Sequence, residues 1–312
     1  MQYILGLPTD HVESIDDFGT GPAIAEIAST AEKLGYAGVF VTDHPAPPKS
    51  FIDAGGHHTL DPLIALAAAA VSTAKLKILT NLYIAAYRNP LLAAKSVATL
   101  DNLSQGRLIL GVGAGYLEGE FKAAGVDYQT RGELLNEHLE IITQAWTGSP
   151  ISASTSQYEA EDIISLPTPF QRSDSSTIPI WVGGNSKNAM QRTARFGEGW
   201  IPMPTPKGME RFVKTSAITD VKSLSKKIDD LSGIWESHGR NDKPSIAIEP
   251  WDAGRLGTDD WEFHKYQTRL EEFSQMGVTH IPVMLSSIGR EFDRSRSEFI
   301  DLISEYAQMA GI

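Results

Sequence analysis

The sequence predicts a (β/α)8 barrel, and three observations carry that prediction. Short apolar or β-branched runs alternate with longer stretches of helical periodicity, the runs number eight, and polar and glycine residues gather where the runs stop. The same alternation also allows a doubly wound open sheet, which is the alternative architecture.

Taken in chain order, the strands are expected at Tyr3 to Leu7, Gly38 to Thr42, Leu76 to Leu82, Arg107 to Val112, Pro179 to Gly183, Gly199 to Met203, Ser245 to Pro250 and His280 to Leu285. The helices between them begin with Pro22 to Leu34. Two later ones share a start signal: Asp61-Pro62 and Asn89-Pro90 each put a capping side chain before a proline at the first helical position. Leu63 to Val71 and Leu91 to Leu103 then carry the alanine and leucine of helices packed on a sheet, and Gly106 stops the second. Further helices are expected at Gly132 to Trp146, Lys187 to Phe196, Val221 to Glu236, Asp260 to Met276 and Phe292 to Ala310.

Residues 147–178 do not fit the bare barrel. They are rich in Ser, Thr and Pro, and they read as an insertion between the fourth helix and the fifth strand. Insertions there form lids or pocket walls, or a solvated excursion with a short hairpin around Gln157 to Glu161. The chain is otherwise expected to be one barrel domain over residues 1–312, without internal repeats.

Composition narrows the function classes. The chain has 312 residues, 41% of them hydrophobic, which is enough for a large core. A formal net charge of −12 argues against nucleic acid or an anionic membrane as the main partner, since both need basic surface. The absence of cysteine excludes disulfides, thiolate metal sites and cysteine nucleophiles; it fits a reducing cytoplasm, and it leaves any redox chemistry to a cofactor. No basic n-region precedes a long apolar run at the start, and Leu63 to Val71 falls short of the ~20 residues of a membrane span.

Four motifs carry candidate chemistry. "LGVGAGYLEGEF" follows the fourth strand, but Tyr116 stands where a dinucleotide fingerprint needs its third glycine. In a barrel, Gly111, Gly113 and Gly115 instead end the strand at the C-terminal mouth and let a flat ligand approach the backbone, or they simply make a tight turn. "PIWVGGNSKNAMQRTARFG" puts Gly183-Gly184 before Asn185-Ser186 at a helix start, where unpaired amides and the helix dipole suit a phosphate, or where Asn185 or Ser186 is a simple N-cap, which leaves the paired glycines unused. "GVFVTDHPAPP" sets Thr42, Asp43 and His44 at the end of the second strand. There histidine is suited to proton transfer, and a neighbouring aspartate can set its tautomer. "ILTNLYIAAYRNP" carries Thr80, Asn81 and Leu82 at the end of the third strand. Metal ligation is disfavoured: His57 and His58 are adjacent rather than on one helical face, and they read as satisfied loop histidines. No G-x-S-x-G elbow supplies a serine nucleophile.

These blocks occur in the order "VTDH", "DPLIALAAAA", "KILTNLYIAAYRNPLLAAKSVATLDNLSQGRLILGVGAGYLEGEF" and "IPIWVGGNSKNAMQRTARFGEGWIP". From Ile4 to about Met284 the chain resembles the bacterial luciferase-like family of flavin and deazaflavin oxidoreductases. The blocks are most similar to the branch that uses coenzyme F420. The resemblance implies a cofactor ring in the barrel mouth beside a non-prolyl cis peptide at Asn81-Leu82, with Thr42 and Thr80 close by. It also implies Gly113, Ala114 and Gly115 along the ring and ribityl chain, and Gly183, Gly184, Asn185 and Ser186 around the phosphate. His44, beside Asp43, would orient the ring or shuttle a proton during hydride transfer, and the protein would pair as a homodimer through barrel helices.

The chain departs from the family's sugar-phosphate dehydrogenases at Tyr116, where they have an acidic residue, which puts that substrate in doubt. Glu118 and Glu120 lie nearby and either substitute for that acid or, more commonly for such a pair on a loop, are surface carboxylates. Tyr83, Tyr87 and Trp181 are candidates to wall an apolar pocket, although aromatics near barrel ends are as often plain packing. Three functions follow from these residues: an F420-dependent hydride-transfer enzyme acting on a small organic substrate, an FMN-dependent monooxygenase, and a non-catalytic cofactor-binding protein.

Overall fold

The computed structural model describes residues 1–155, 158–173, 177–205, 215–286 and 294–312. Eight parallel strands form its main sheet: β1 (Gln2–Gly6), β2 (Gly38–Val41), β3 (Lys77–Thr80), β4 (Leu108–Val112), β7 (Ile180–Gly183), β8 (Gly199–Ile201), β9 (Ser245–Ile246) and β10 (His280–Val283). Their order is β10, β1, β2, β3, β4, β7, β8, β9. A parallel bridge between Ala247 and His280, with Ile248 N–H donating to His280 O at 3.2 Å, joins the two end strands and closes the barrel. The expected barrel is therefore the architecture. Several strands stop earlier than expected, β9 at Ile246 and β3 at Thr80, because the chain leaves the ladder to build the mouth.

The core has two shells, set by the two-residue alternation of side chains along each strand. Ile4, Phe40, Leu79, Ile109, Trp181, Ile201 and Ala247 fill the barrel interior, with Leu82 and Met284 packed over them. Their neighbours Leu5, Val39, Ile78, Leu110, Val182 and Ile246 face outward into the layer between sheet and helices. Helices α1 (Ile15–Phe18), α2 (Gly21–Leu34) and α3 (Lys49–Asp53) come first, and both expected proline starts follow. Asp61 accepts from Leu63 and Ile64 N–H to open α4 (Pro62–Val71), and Asn89 accepts from Leu91 and Leu92 N–H to open α5 (Pro90–Leu103).

Residues 147–178 include the antiparallel pair β5 (Ile151–Ser154) and β6 (Glu159–Ile163), outside the barrel sheet. Gln157, at the expected hairpin, and Phe292, at the expected start of the last helix, lie outside the described residues. The returning chain is tied to the bottom of the barrel by Arg172, paired with buried Asp101 at 2.7 Å, and by Phe170 N–H on the same carboxylate. Among the described residues no helix is long and apolar enough to cross a membrane.

Candidate functional site

A cavity of about 940 Å³ opens at the C-terminal mouth of the barrel. Of the residues singled out from sequence, Thr42, Asp43, His44, Asn81, Leu82, Gly113, Ala114, Gly115, Gly183, Gly184 and Ser186 line it. Thr80 and Asn185 do not. Thr80 is fully buried and donates its hydroxyl to Gly111 O at 2.8 Å, which holds β3 to β4 below the mouth. Asn185 is fully buried as well; its amide binds Met203 O and Ser216 O, each at 2.7 Å, so it shapes the rim from behind.

The Asn81-Leu82 peptide is cis, as the family resemblance implied. Leu82 lies across the mouth because two glycines make room: a Cβ on Gly183 would meet Leu82 Cδ1 at 2.1 Å, and one on Gly113 would meet it at 2.9 Å. Gly113 N–H donates to Tyr83 O and Tyr83 N–H to Gly111 O, so the segment after Leu82 is stitched to β4. Tyr83 itself is buried with Arg88 over its ring, Trp181 belongs to the barrel interior, and Tyr87 alone of the three aromatics lines the cavity.

Asp43 does not contact His44. Its carboxylate takes a bidentate ion pair from Arg88 at 2.6 and 2.9 Å and a hydrogen bond from Ile84 N–H, which clamps the loop after β3 to the end of β2. The physical reason is that adjacent residues in extended chain point apart. Instead, Glu120 from α6 (Glu118–Ala123) reaches His44: Oε2 lies 3.3 Å from Nδ1, and the same oxygen accepts from the Tyr87 hydroxyl at 3.0 Å. Glu120 is 2% exposed, so it is not the surface carboxylate that the sequence suggested, whereas Glu118 is exposed. On the other side of the ring, the Tyr116 hydroxyl lies 3.3 Å from His44 Nε2. Burial, followed by the nearby Glu120 charge, pushes the Tyr116 hydroxyl up to about 12, so it stays protonated and able to donate.

His57 also belongs to this group. It packs edge-on against His44 with ring centroids 4.8 Å apart and bonds the Thr42 hydroxyl at 3.2 Å. Burial, then the charges of His44 and the other histidines, pull it down to about 3, so it is neutral near pH 7. A Glu120 oxygen accepting Nδ1–H fixes the proton on that nitrogen and leaves Nε2 with its lone pair toward Tyr116.

At the opposite end of the cavity, α8 (Lys187–Phe196) starts behind the Ser186 cap, which accepts from Ala189 N–H. Gly184 has φ +106°, a conformation that suits glycine, and it turns the chain into this helix. The Lys187 and Asn188 N–H groups have no partner among the described residues. Nearby, Arg192 is 6% exposed and bound to Asn136 Oδ1 and Gly132 O at 2.7 and 2.8 Å, at the start of α7 (Arg131–Ala145). No carboxylate pairs with it among the described residues, and burial lowers it to about 10, which still leaves it charged. Sequence reading missed Arg192 and His57, and it named Glu120 only as one of two acids able to replace the residue at Tyr116, since each joins the site through contacts distant in sequence.

A model for a luciferase-like monooxygenase matches residues 1–217. An uncharacterized protein of Mycobacterium tuberculosis (strain ATCC 25618 / H37Rv) is 30% identical over 279 residues, covering 85% of this chain and 87% of its own. An F420-dependent glucose-6-phosphate dehydrogenase of Amycolatopsis mediterranei is 29% identical over 210 residues, 66% of this chain and 60% of its own. In fold, the chain is similar to monooxygenase RslO1 from Streptomyces bottropensis, with a TM-score of 0.74, 17% identity and full coverage of both chains.

Proposed function

The chain belongs to the luciferase-like monooxygenase family, and on that premise we propose that it is an F420-dependent oxidoreductase exchanging a hydride with a small organic substrate. The observation that carries the reading is the His44 network at the mouth, which equips one imidazole nitrogen for proton transfer beside a glycine-lined shelf. The relative named F420-dependent supports the choice of cofactor.

The residues fit a flat tricyclic cofactor with a phosphate. Gly113, Ala114 and Gly115 with Leu82 would hold the ring, in a space that a Cβ on Gly113 or Gly183 would take from Leu82. Ser186, the open N–H groups of α8 and Arg192 would hold the phosphate. When bound, the deazaflavin supplies a two-electron hydride acceptor or donor. His44 Nε2 takes the substrate's proton or returns it, Tyr116 hands it along, and the Glu120 charge stabilises the imidazolium that forms. Asp43 acts on the loop after β3 and not on the proton.

FMN is the second cofactor to consider, because the same α8 site suits its phosphate, and the fold is shared with a monooxygenase. Oxygen consumption separates the two, since reduced FMN reacts readily with oxygen and reduced F420 does not. Reduced cofactor oxidised by an enone or ketone without oxygen uptake supports the hydride reading; stoichiometric oxygen uptake overturns it.

The same reading takes the chain as one barrel domain with residues 147–178 as a peripheral insertion, acting as a homodimer on a small molecule rather than on nucleic acid or membrane. The dimer is supported by the exposed apolar side chains of α4 and α5: Ile64 at 74%, Val71 at 70% and Leu92 at 67% exposure.

A further inference from the structure

Among the described residues, the cavity wall opposite the glycine shelf carries one charged side chain that the proposed chemistry does not use. In the eight-strand order β9 stands four places from β3, so the end of β9 faces Leu82 across the mouth. The alternation that turns Ala247 into the barrel also turns Glu249 inward, two residues further up, and Glu249 lines the cavity. Its neighbours on this wall are apolar: Pro282 and Met284, with Phe40 below.

Glu249 has no hydrogen bond or ion pair among the described residues. Burial raises its carboxyl above the usual range, opposed by the charge of Arg255, yet Arg255 forms no ion pair with it. The lining arginines, Arg131, Arg192 and Arg195, all stand on α7 and α8, at the phosphate end. An anionic group beside Glu249 would meet a like charge or a carboxyl to be kept protonated, and among the described residues no lysine or arginine of β9 or β10 lines the cavity to balance it. A hydrogen-bond donor there would give this half-buried carboxyl, which opens onto the cavity, a partner.

We propose that Glu249 is a specificity residue: its carboxyl accepts a hydrogen bond from a hydroxyl or ammonium group on a substrate that is otherwise apolar and carries no anion at that end. This rests on the barrel mouth being the active site of the cofactor-dependent oxidoreductase proposed above. The apolar body of the substrate lies on Pro282 and Met284, and its reacting carbon lies toward Leu82 and His44.

The test uses three probes with one shared ring: 4-aminocyclohexanol, cyclohexanol and 4-hydroxycyclohexanecarboxylate. Wild type and E249Q are first titrated with F420 and with FMN, then loaded with whichever binds, and probe binding is read by calorimetry. In the wild type the amine binds at least about 10-fold more tightly than the carboxylate, with cyclohexanol between them, as expected for one hydrogen bond to a charged partner. In E249Q the amine-to-carboxylate ratio falls to within about 3-fold, and in E249K it reverses. The inference is overturned if the ratio is the same in wild type and E249Q, if the carboxylate binds as tightly as the amine in the wild type, or if no probe binds the loaded protein. Failure to bind either cofactor before any probe is added counts against the proposed function instead.

Discussion

Replacing Arg192 with methionine tests where the cofactor's anion is held. The guanidinium is 6% exposed, braced by Asn136 and Gly132, and faces the cavity without a carboxylate among the described residues. A buried cation in that state is stabilised by a bound anion, and methionine keeps much of the apolar stem while removing the charge. One hydrogen bond from a charged donor contributes ~1.5–3 kcal/mol, or about 10- to 150-fold in Kd. Fluorescence-quenching titrations of wild type and R192M with F420 and with its phosphate-free deazaflavin riboside isolate that contribution. F420 affinity should fall about 10- to 150-fold and riboside affinity by less than about 3-fold. Equal loss for both ligands would mean that Arg192 only braces α7 against α8, and no loss for F420 would place the anion elsewhere. Either result refutes the reasoning.

Three further outcomes follow from the same geometry. His44→Ala should cut turnover by about 100-fold or more with cofactor affinity within a few-fold, and Glu120→Gln should lower kcat by about 10- to 100-fold with a smaller change in KM, read from steady-state kinetics. His57 sits at about 3 in the folded protein against 6.5 ordinarily, so the unfolded chain binds the extra proton between those values. The stability that the neutral ring contributes above pH 6.5 is therefore lost as pH falls toward 3; in urea denaturation His57→Gln should lose less stability than wild type between about pH 7 and about pH 5. Ile64→Glu combined with Leu92→Glu should shift the protein to a monomer in analytical ultracentrifugation, while an unchanged sedimentation coefficient would move the interface off α4 and α5.

Much of the fold was legible because its signals are local. The Asp61-Pro62 and Asn89-Pro90 starts depend on residues within one helical turn, and strand alternation depends on neighbours two apart. The glycines of the mouth were legible too, although their partner Leu82 became visible only once β3, β4 and β7 were side by side. Proximity in sequence misled at Asp43: it adjoins His44 but points to Arg88, while Glu120, 76 residues away from His44, makes the contact. Glu120 read as a surface residue because Glu118-Gly119-Glu120 looks like an exposed loop, and its burial depends on Tyr87 and Ala46 N–H supplying partners. Glu249 escaped notice for the same reason, since its place on the wall follows from barrel closure and not from any motif.

The central claim, a deazaflavin in the barrel mouth, is tested most directly by titrating the apoprotein in parallel with F420 and FMN and following the quenching of cofactor fluorescence. The account predicts tighter binding of F420. Tighter binding of FMN, or binding of neither, contradicts it.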